Sequence, residues 1–274
     1  APTPDSEVMD GSARTANLIR QLREAEVPEV LFFVTTQYID STSSERLRAY
    51  THAGHLLANH SHKHLSANEI TVEDVLEDAR QAQQILQPFD NLLPLYRFPY
   101  LHYGKDTPSR EAIAAGLSDL GYSMGYVTVD NFDWYINSLY REAVKAGKKI
   151  DEKKLGQLYV DTIWETIEFY DEIARKNLGR SPKHVLLLHE NDMAANYIGD
   201  LVQHIRAKGW KIISPEHAYT DPISQHQGDL SFTKQGRVAA LAHQAGAAVE
   251  ALRHASENTE YLDKLFEHYE VVEK

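Results

Sequence analysis

The sequence has no cysteine, which removes thiol nucleophiles, disulfides and cysteine-ligated zinc together. It has no run of 18 apolar residues, so no segment reads as a membrane-spanning helix. Basic residues are outnumbered, 28 against 40 acidic, for a net charge of −12, and that balance argues against a nucleic-acid partner, which needs concentrated positive charge. There is no glycine-rich phosphate loop, no nucleophile elbow and no dinucleotide fingerprint; Gly54-His55 lacks the spacing. No signal peptide opens the chain, and Ala1-Pro2-Thr3-Pro4 reads as neither a natural start nor a helix.

What is present is a recurring unit. Helical periodicity from Asp10 gives way at Val27-Pro28 to the apolar run Val30 to Thr35, a helix feeding a buried strand. Ser44 to Ala53 and His55 to Ala58 repeat the pattern, then Thr71 to Leu86 with Leu92 to Phe98, then Ser109 to Leu120 with Gly125 to Val129. Alternating helices and fully apolar strands predict an α/β fold with a parallel sheet covered on both faces. Further on, Gly147 to Gly156 reads as a solvated, lysine-rich excursion and Gly156 to Asn177 as a long amphipathic helix. His184 to His189 reads as the clearest buried strand, Asn196 to Lys208 as a helix, and Trp210 to Ile213 as a closing strand. Beyond the polar linker Ser224 to Gly228, Thr233 to Leu265 is rich in alanine and predicts one or two helices. The expected organisation is a body over 1–222 and a helical C-terminal extension over 223–274. Nothing in the sequence sets an oligomeric state.

Polar residues gather where the strands end, and a parallel sheet places such ends on one rim. Asn59-His60-Ser61-His62-Lys63-His64 follows the second strand, and His60 and His64, four apart, can aim at one point. A solvated loop, or edge histidines held by hydrogen bonds, is the plainer reading of that stretch alone. Arg97 and Tyr100 follow the third strand, Asp130, Asp133 and Trp134 the fourth, and His189 closes the fifth. Two imidazoles hold a metal weakly, so a carboxylate ligand is wanted as well. His189 suits a proton donor, particularly with Asp133 close enough to fix its tautomer and raise its pKa.

These stretches, in this order, resemble the polysaccharide deacetylases of the NodB homology type, carbohydrate esterase family 4. His60-Ser61-His62-Lys63-His64 is similar to that family's His-Ser/Thr-x-x-His motif, and Arg97-Phe98-Pro99-Tyr100 to its Arg-x-Pro-Pro-Tyr-like stretch. Asp130-Asn131-Phe132-Asp133-Trp134 resembles Asp-x-x-Asp-Trp, and Leu187-Leu188-His189 resembles Leu-x-His. The resemblance covers roughly residues 1–220 and implies a distorted (β/α) barrel with its site at the C-terminal rim. It implies that His60 and His64 bind Zn2+, or another divalent metal such as Co2+ or Ni2+. It further implies Tyr100 as a backbone donor to the oxyanion, Arg97 orienting the base, Asp133 tuning the acid His189, and Trp134 and Leu187 walling an acetyl pocket. His62 is expected to be a bystander, and Asp130 to rank below Asp133.

The implied activity is hydrolytic removal of acetyl groups from an N-acetylated or O-acetylated polysaccharide or oligosaccharide, with periplasmic or secreted localisation. The family's Thr-Phe-Asp-Asp motif, which carries base and third metal ligand, is missing. Ala1-Pro2-Thr3-Pro4-Asp5 looks like its continuation, and the expectation is a complete enzyme whose first strand and aspartate pair precede Ala1. Asp5, Glu7 and Asp10 are nearby carboxylates out of register. The alternatives are an amidase acting on a small non-sugar amide, or a catalytically impaired carbohydrate-binding protein.

Overall fold

The computed structural model describes residues 2–273. Helix α1 (Gly11–Glu24) begins where the Asp10 side chain accepts from the Ala13 amide, satisfying one of the unpaired first-turn donors. Strand β1 (Leu31–Val34), helix α2 (Ser41–His52), strand β2 (Leu56–Asn59), helix α3 (Val72–Leu86), strand β3 (Leu92–Tyr96), helix α4 (Thr107–Asp119) and strand β4 (Ser123–Met124) follow. The strands form one parallel sheet in the order β1-β2-β3-β4, with Leu31 opposite Leu56, Asn59 opposite Tyr96, and Tyr96 opposite Met124. Sequential strands lie side by side, joined by helices, as expected of the βα repeat.

All four residues of β2 are buried because it has a neighbour on each side, and Leu57 is wholly inaccessible. Burying a leucine or isoleucine of this kind contributes about 1.5–3 kcal/mol. One core gathers Ala79 of α3, Tyr96 of β3 and Ile113 of α4. A larger one forms around α6 (Glu152–Leu178), whose Tyr159, Ile163 and Tyr170 pack with Leu201 of α7 (Asp192–Ala207) and Leu18 of α1. Helices α8 (Pro215–Tyr219), α9 (Arg237–Gln244) and α10 (Thr259–His268) complete the chain. The result is an α/β fold, a parallel sheet flanked by helices, with a helical C-terminal extension. Among the described residues no helix is long and apolar enough to cross a membrane.

Five details depart from the sequence reading. Strand β4 is confined to Ser123–Met124, ahead of the expected Gly125 to Val129, of which only Val129 forms an isolated bridge. Residues 147–156 are not simply a solvated excursion: Ile150 bridges antiparallel to Val272, and α6 already begins at Glu152, capped by Asp151. A helix, α5 (Asp133–Lys145), begins inside the Asp-Asn-Phe-Asp-Trp stretch and takes in its last two residues. The segment from His184 to His189 joins none of the sheet's four strands; it pairs with residues 128–129 through one isolated bridge, Val129 to Leu186, and its apolar residues are half-buried rather than buried. Trp210 to Ile213 forms no strand. Both segments are apolar enough for a sheet interior, but residues 184–189 are paired with described residues on one side only, and residues 210–213 on neither.

Candidate active site

The loop after β2 is fixed from within. Asn59 reaches back to accept from the Ser61 amide at 2.8 Å, and both Asp78 carboxylate oxygens of α3 accept from the His62 and Lys63 amides at 2.6 and 2.9 Å. Those bonds hold Ser61 and His64 at positive φ, 72° and 57°, and turn the two outer imidazoles toward each other. The His60 and His64 rings meet edge to face, centroids 4.8 Å apart. His62 leaves in another direction and meets the Thr36 hydroxyl at 2.9 Å. His60 Nδ1 lies 2.8 Å from the Arg97 carbonyl, which can only accept, so Nδ1 carries the proton and Nε2 keeps its lone pair. Burial pushes the pKa of His60 well down and that of His64 down, which favours neutral rings.

Arg97 follows β3. Its Nε donates to the Gly125 carbonyl at 2.9 Å, its Nη2 to the Tyr219 hydroxyl at 3.3 Å, and the guanidinium lies 3.7 Å from the Phe33 ring centre. Gly125 makes this possible, since a Cβ there would stand 2.4 Å from the Phe33 ring. Burial lowers the Arg97 pKa. Tyr100 and Leu101 then take consecutive left-handed conformations, with φ of 57° and 53°, and the Tyr100 side chain stands out into solvent against the His64 ring.

The other side of the rim is built from α5 and residues 184–189. Asp133, fully buried at the first position of α5, accepts from His189 Nδ1 at 2.6 Å, from the His189 amide at 3.0 Å and from Asn191 Nδ2 at 3.0 Å. Burial opposes the imidazolium of His189, but the Asp133 carboxylate outweighs it and the pKa stands above the ordinary value. The His189 side chain keeps 48% of its exposure, so its second nitrogen is not enclosed. Trp134 is exposed and stacks at an angle on Phe132, 5.1 Å away. The Leu187 carbonyl accepts from Asn131 at 2.6 Å, which ties its segment to the Asp130 loop. Asp130 is pushed up to about 7, first by burial and then by the charge of Glu257.

A family model described as polysaccharide deacetylase matches residues 5–124, the stretch that includes both the histidine loop and Arg97. Residues 5–124 carry the sequence pattern of the polysaccharide deacetylase family. Solved structures agree on the fold. A family 4 carbohydrate esterase from Streptomyces lividans, in complex with acetate, superposes with a TM-score of 0.50 at 20% identity, covering 75% of this chain and 88% of that one. Peptidoglycan deacetylase PdaC from Bacillus subtilis gives 0.51 at 17% identity, covering 75% and 83%. A CE4 family pseudoenzyme from Bacillus anthracis gives 0.54 at 13% identity, covering 76% of this chain and 61% of its own length. The comparison with curated proteins gives no match.

For a polysaccharide deacetylase the donor set is short. Among the described residues no group of three His, Cys, Asp or Glu side chains is arranged to hold a metal ion. The carboxylates nearest the start of the chain are engaged elsewhere: Asp5 accepts from the Gly11 amide, Asp10 caps α1, and Glu7 pairs with Arg141. His60 and His64 thus fall one ligand short of the usual catalytic zinc set.

Several residues that build the site were not singled out from sequence. Asn131 and Asn191 orient the Asp133 surroundings, and Tyr219 meets Arg97. Glu190 and Asp192, flanking Asn191, form ion pairs with Arg46 and Arg14, and both arginines also hold the Thr3 carbonyl. The available signal was the unbroken polar run His189-Glu190-Asn191-Asp192 after an apolar segment. The arginine partners of Glu190 and Asp192 are more than a hundred residues away, beyond the reach of local spacing.

Proposed function

We propose that the chain is a carbohydrate-binding member of the polysaccharide deacetylase family, taking an acetylated sugar at this rim while catalytically impaired. The observation that carries the reading is a lopsided site. The acid side is built, with His189 held on Asp133 at 2.6 Å, whereas no described carboxylate joins His60 and His64 as ligand or base. Tyr100 and Trp134 are exposed, and aromatic faces suit the apolar face of a pyranose, which supports a sugar as the ligand. The acetyl group would lie toward Leu187, with His189 donating a hydrogen bond. Both active enzymes and a pseudoenzyme have this fold, so the choice rests on residues rather than architecture.

A second reading, hydrolysis of the acetyl group, is favoured by the His189 and Asp133 pair. A raised pKa keeps the imidazole protonated at higher pH than usual, which suits protonation of a leaving amine. That reading needs a base and a third zinc ligand from residues other than those described.

Titration of the intact chain with chitotetraose, followed by tryptophan fluorescence, tests the binding reading. Saturable quenching that is lost in Trp134→Ala supports it. Absence of binding by chitotetraose, acetylated xylo-oligosaccharides and small amides alike overturns it; preference for a small amide instead supports an amidase ancestry.

A further inference from the structure

A second cavity of about 480 Å³ lies between α4, the strands β3 and β4, and the segment from Ser224 to Arg237, and none of the candidate rim residues lines it. Its size is within the usual range for small organic ligands. Phe98, Leu117 and Met124 give it an apolar wall.

Two polar groups in that wall are incompletely answered: Arg237 has hydrogen bonds but no counter-charge among the described residues, and the Tyr126 hydroxyl has no hydrogen-bond partner. Arg237, 4% exposed, is pinned by its backbone: its amide donates to the Val127 carbonyl at 2.7 Å, and Gly236 before it lies so close that a Cβ would stand 3.1 Å from that oxygen. Its Nη1 donates to the Ser224 and Ile223 carbonyls at 3.0 and 3.3 Å, while Nη2 meets the Met124 thioether at 2.9 Å, a weak acceptor. Among the described residues it forms no ion pair, and a buried cation without a counter-charge is strongly unfavourable. The Tyr126 ring lies 4.2 Å from the guanidinium carbon, and the Tyr126 hydroxyl is buried without a hydrogen-bond partner. One anionic acceptor would answer both groups.

We propose that this cavity binds a small organic carboxylate with an apolar body, the carboxylate paired with Arg237 and Tyr126 and the body against Phe98, Leu117 and Met124. A single buried cation balances a monoanion and leaves a dianion such as phosphate half unpaired. The site shares Tyr219, which meets Arg97, with the rim but takes none of the rim's sequence-predicted residues, and it holds whichever reading of the rim is right.

Calorimetric titration of the intact chain with benzoate and hexanoate, against the neutral benzamide and hexanol, tests the assignment at millimolar ligand. At least one acid binds with 1:1 stoichiometry and at least about tenfold more tightly than its neutral counterpart, as a hydrogen-bonded charge pair requires. Ser118→Trp, on the exposed side of α4, blocks the cavity without entering a core, and Tyr126→Phe removes only the hydroxyl. Both weaken binding, and His189→Ala at the rim leaves it unchanged. Failure of both acids to bind, equal binding of the neutral compounds, indifference to Ser118→Trp, or loss in His189→Ala overturns the proposal.

Discussion

Replacing Asp133 with asparagine removes the charge behind His189 and keeps the volume. Asp133 is fully buried and accepts from three donors, the His189 ring, the His189 amide and Asn191. An asparagine offers one acceptor oxygen and turns an NH2 group toward the remaining donors. A hydrogen bond to a charged group contributes about 1.5–3 kcal/mol, and because the His189 ring is half-exposed and can shed its proton, Asp133→Asn should fall in that range by urea unfolding. The imidazole itself reports the electrostatics. With the carboxylate gone, burial is the larger remaining influence, so the His189 pKa should drop from above 6.5 to below it, read by long-range nitrogen-proton NMR. A raised histidine pKa stabilises the fold fully below the unfolded value and loses that contribution as pH rises through the folded value. The stability gap between wild type and variant should therefore be wider near about pH 5.5 than near about pH 8.5. A His189 pKa unchanged in the variant, or a loss under about 1 kcal/mol, refutes the account of the pair.

The remaining expectations concern other parts of the molecule. Zinc titrated into the intact chain should bind weakly and wash out on gel filtration, with His60→Ala abolishing even that; tight retention would mean that a third ligand is present. Asp130→Asn should stabilise the protein at neutral pH by up to about 4 kcal/mol, because a carboxyl whose folded pKa is about 7 withdraws stability as pH rises from 3.8 to that value. Urea unfolding at successive pH values checks it, and a gain that does not grow over that window contradicts it. Asp192→Ala, which strands the wholly buried Arg14, should cost about 3–5 kcal/mol, and a change near zero would show that the pair contributes nothing.

Local pattern was enough for the first half of the chain because each element there satisfies itself locally. The β2 residues are apolar on both faces and buried on both, and α1, α2 and α3 begin at side chains that cap them, Asp10, Asp40 and Thr71. Strand-end residues as far apart as His60, Arg97 and His189 could be assigned to one rim for the same reason, since parallel strands all deliver their C-terminal ends to one side. Helix α5 was not legible because its start, Asp133-Trp134-Tyr135, combines a ligand-like carboxylate with aromatic residues of modest helix propensity. In the segment at 184–189, the four consecutive apolar residues Val185 to Leu188 suggest burial, but burial also depends on neighbours in the sheet, which local composition does not report. Arg14 and Arg46 carry no local signal of burial, since only the folded chain brings Asp192 and Glu190 to them.

The central claim is that this rim holds an acetylated sugar and lacks the means to hydrolyse it rapidly. Acetate released from chitotetraose by the intact chain, supplied with zinc and compared with His189→Ala, measures that directly. The account predicts saturable sugar binding with acetate release no faster than in the variant. Multiple turnovers that vanish in His189→Ala would contradict it and establish the hydrolase reading.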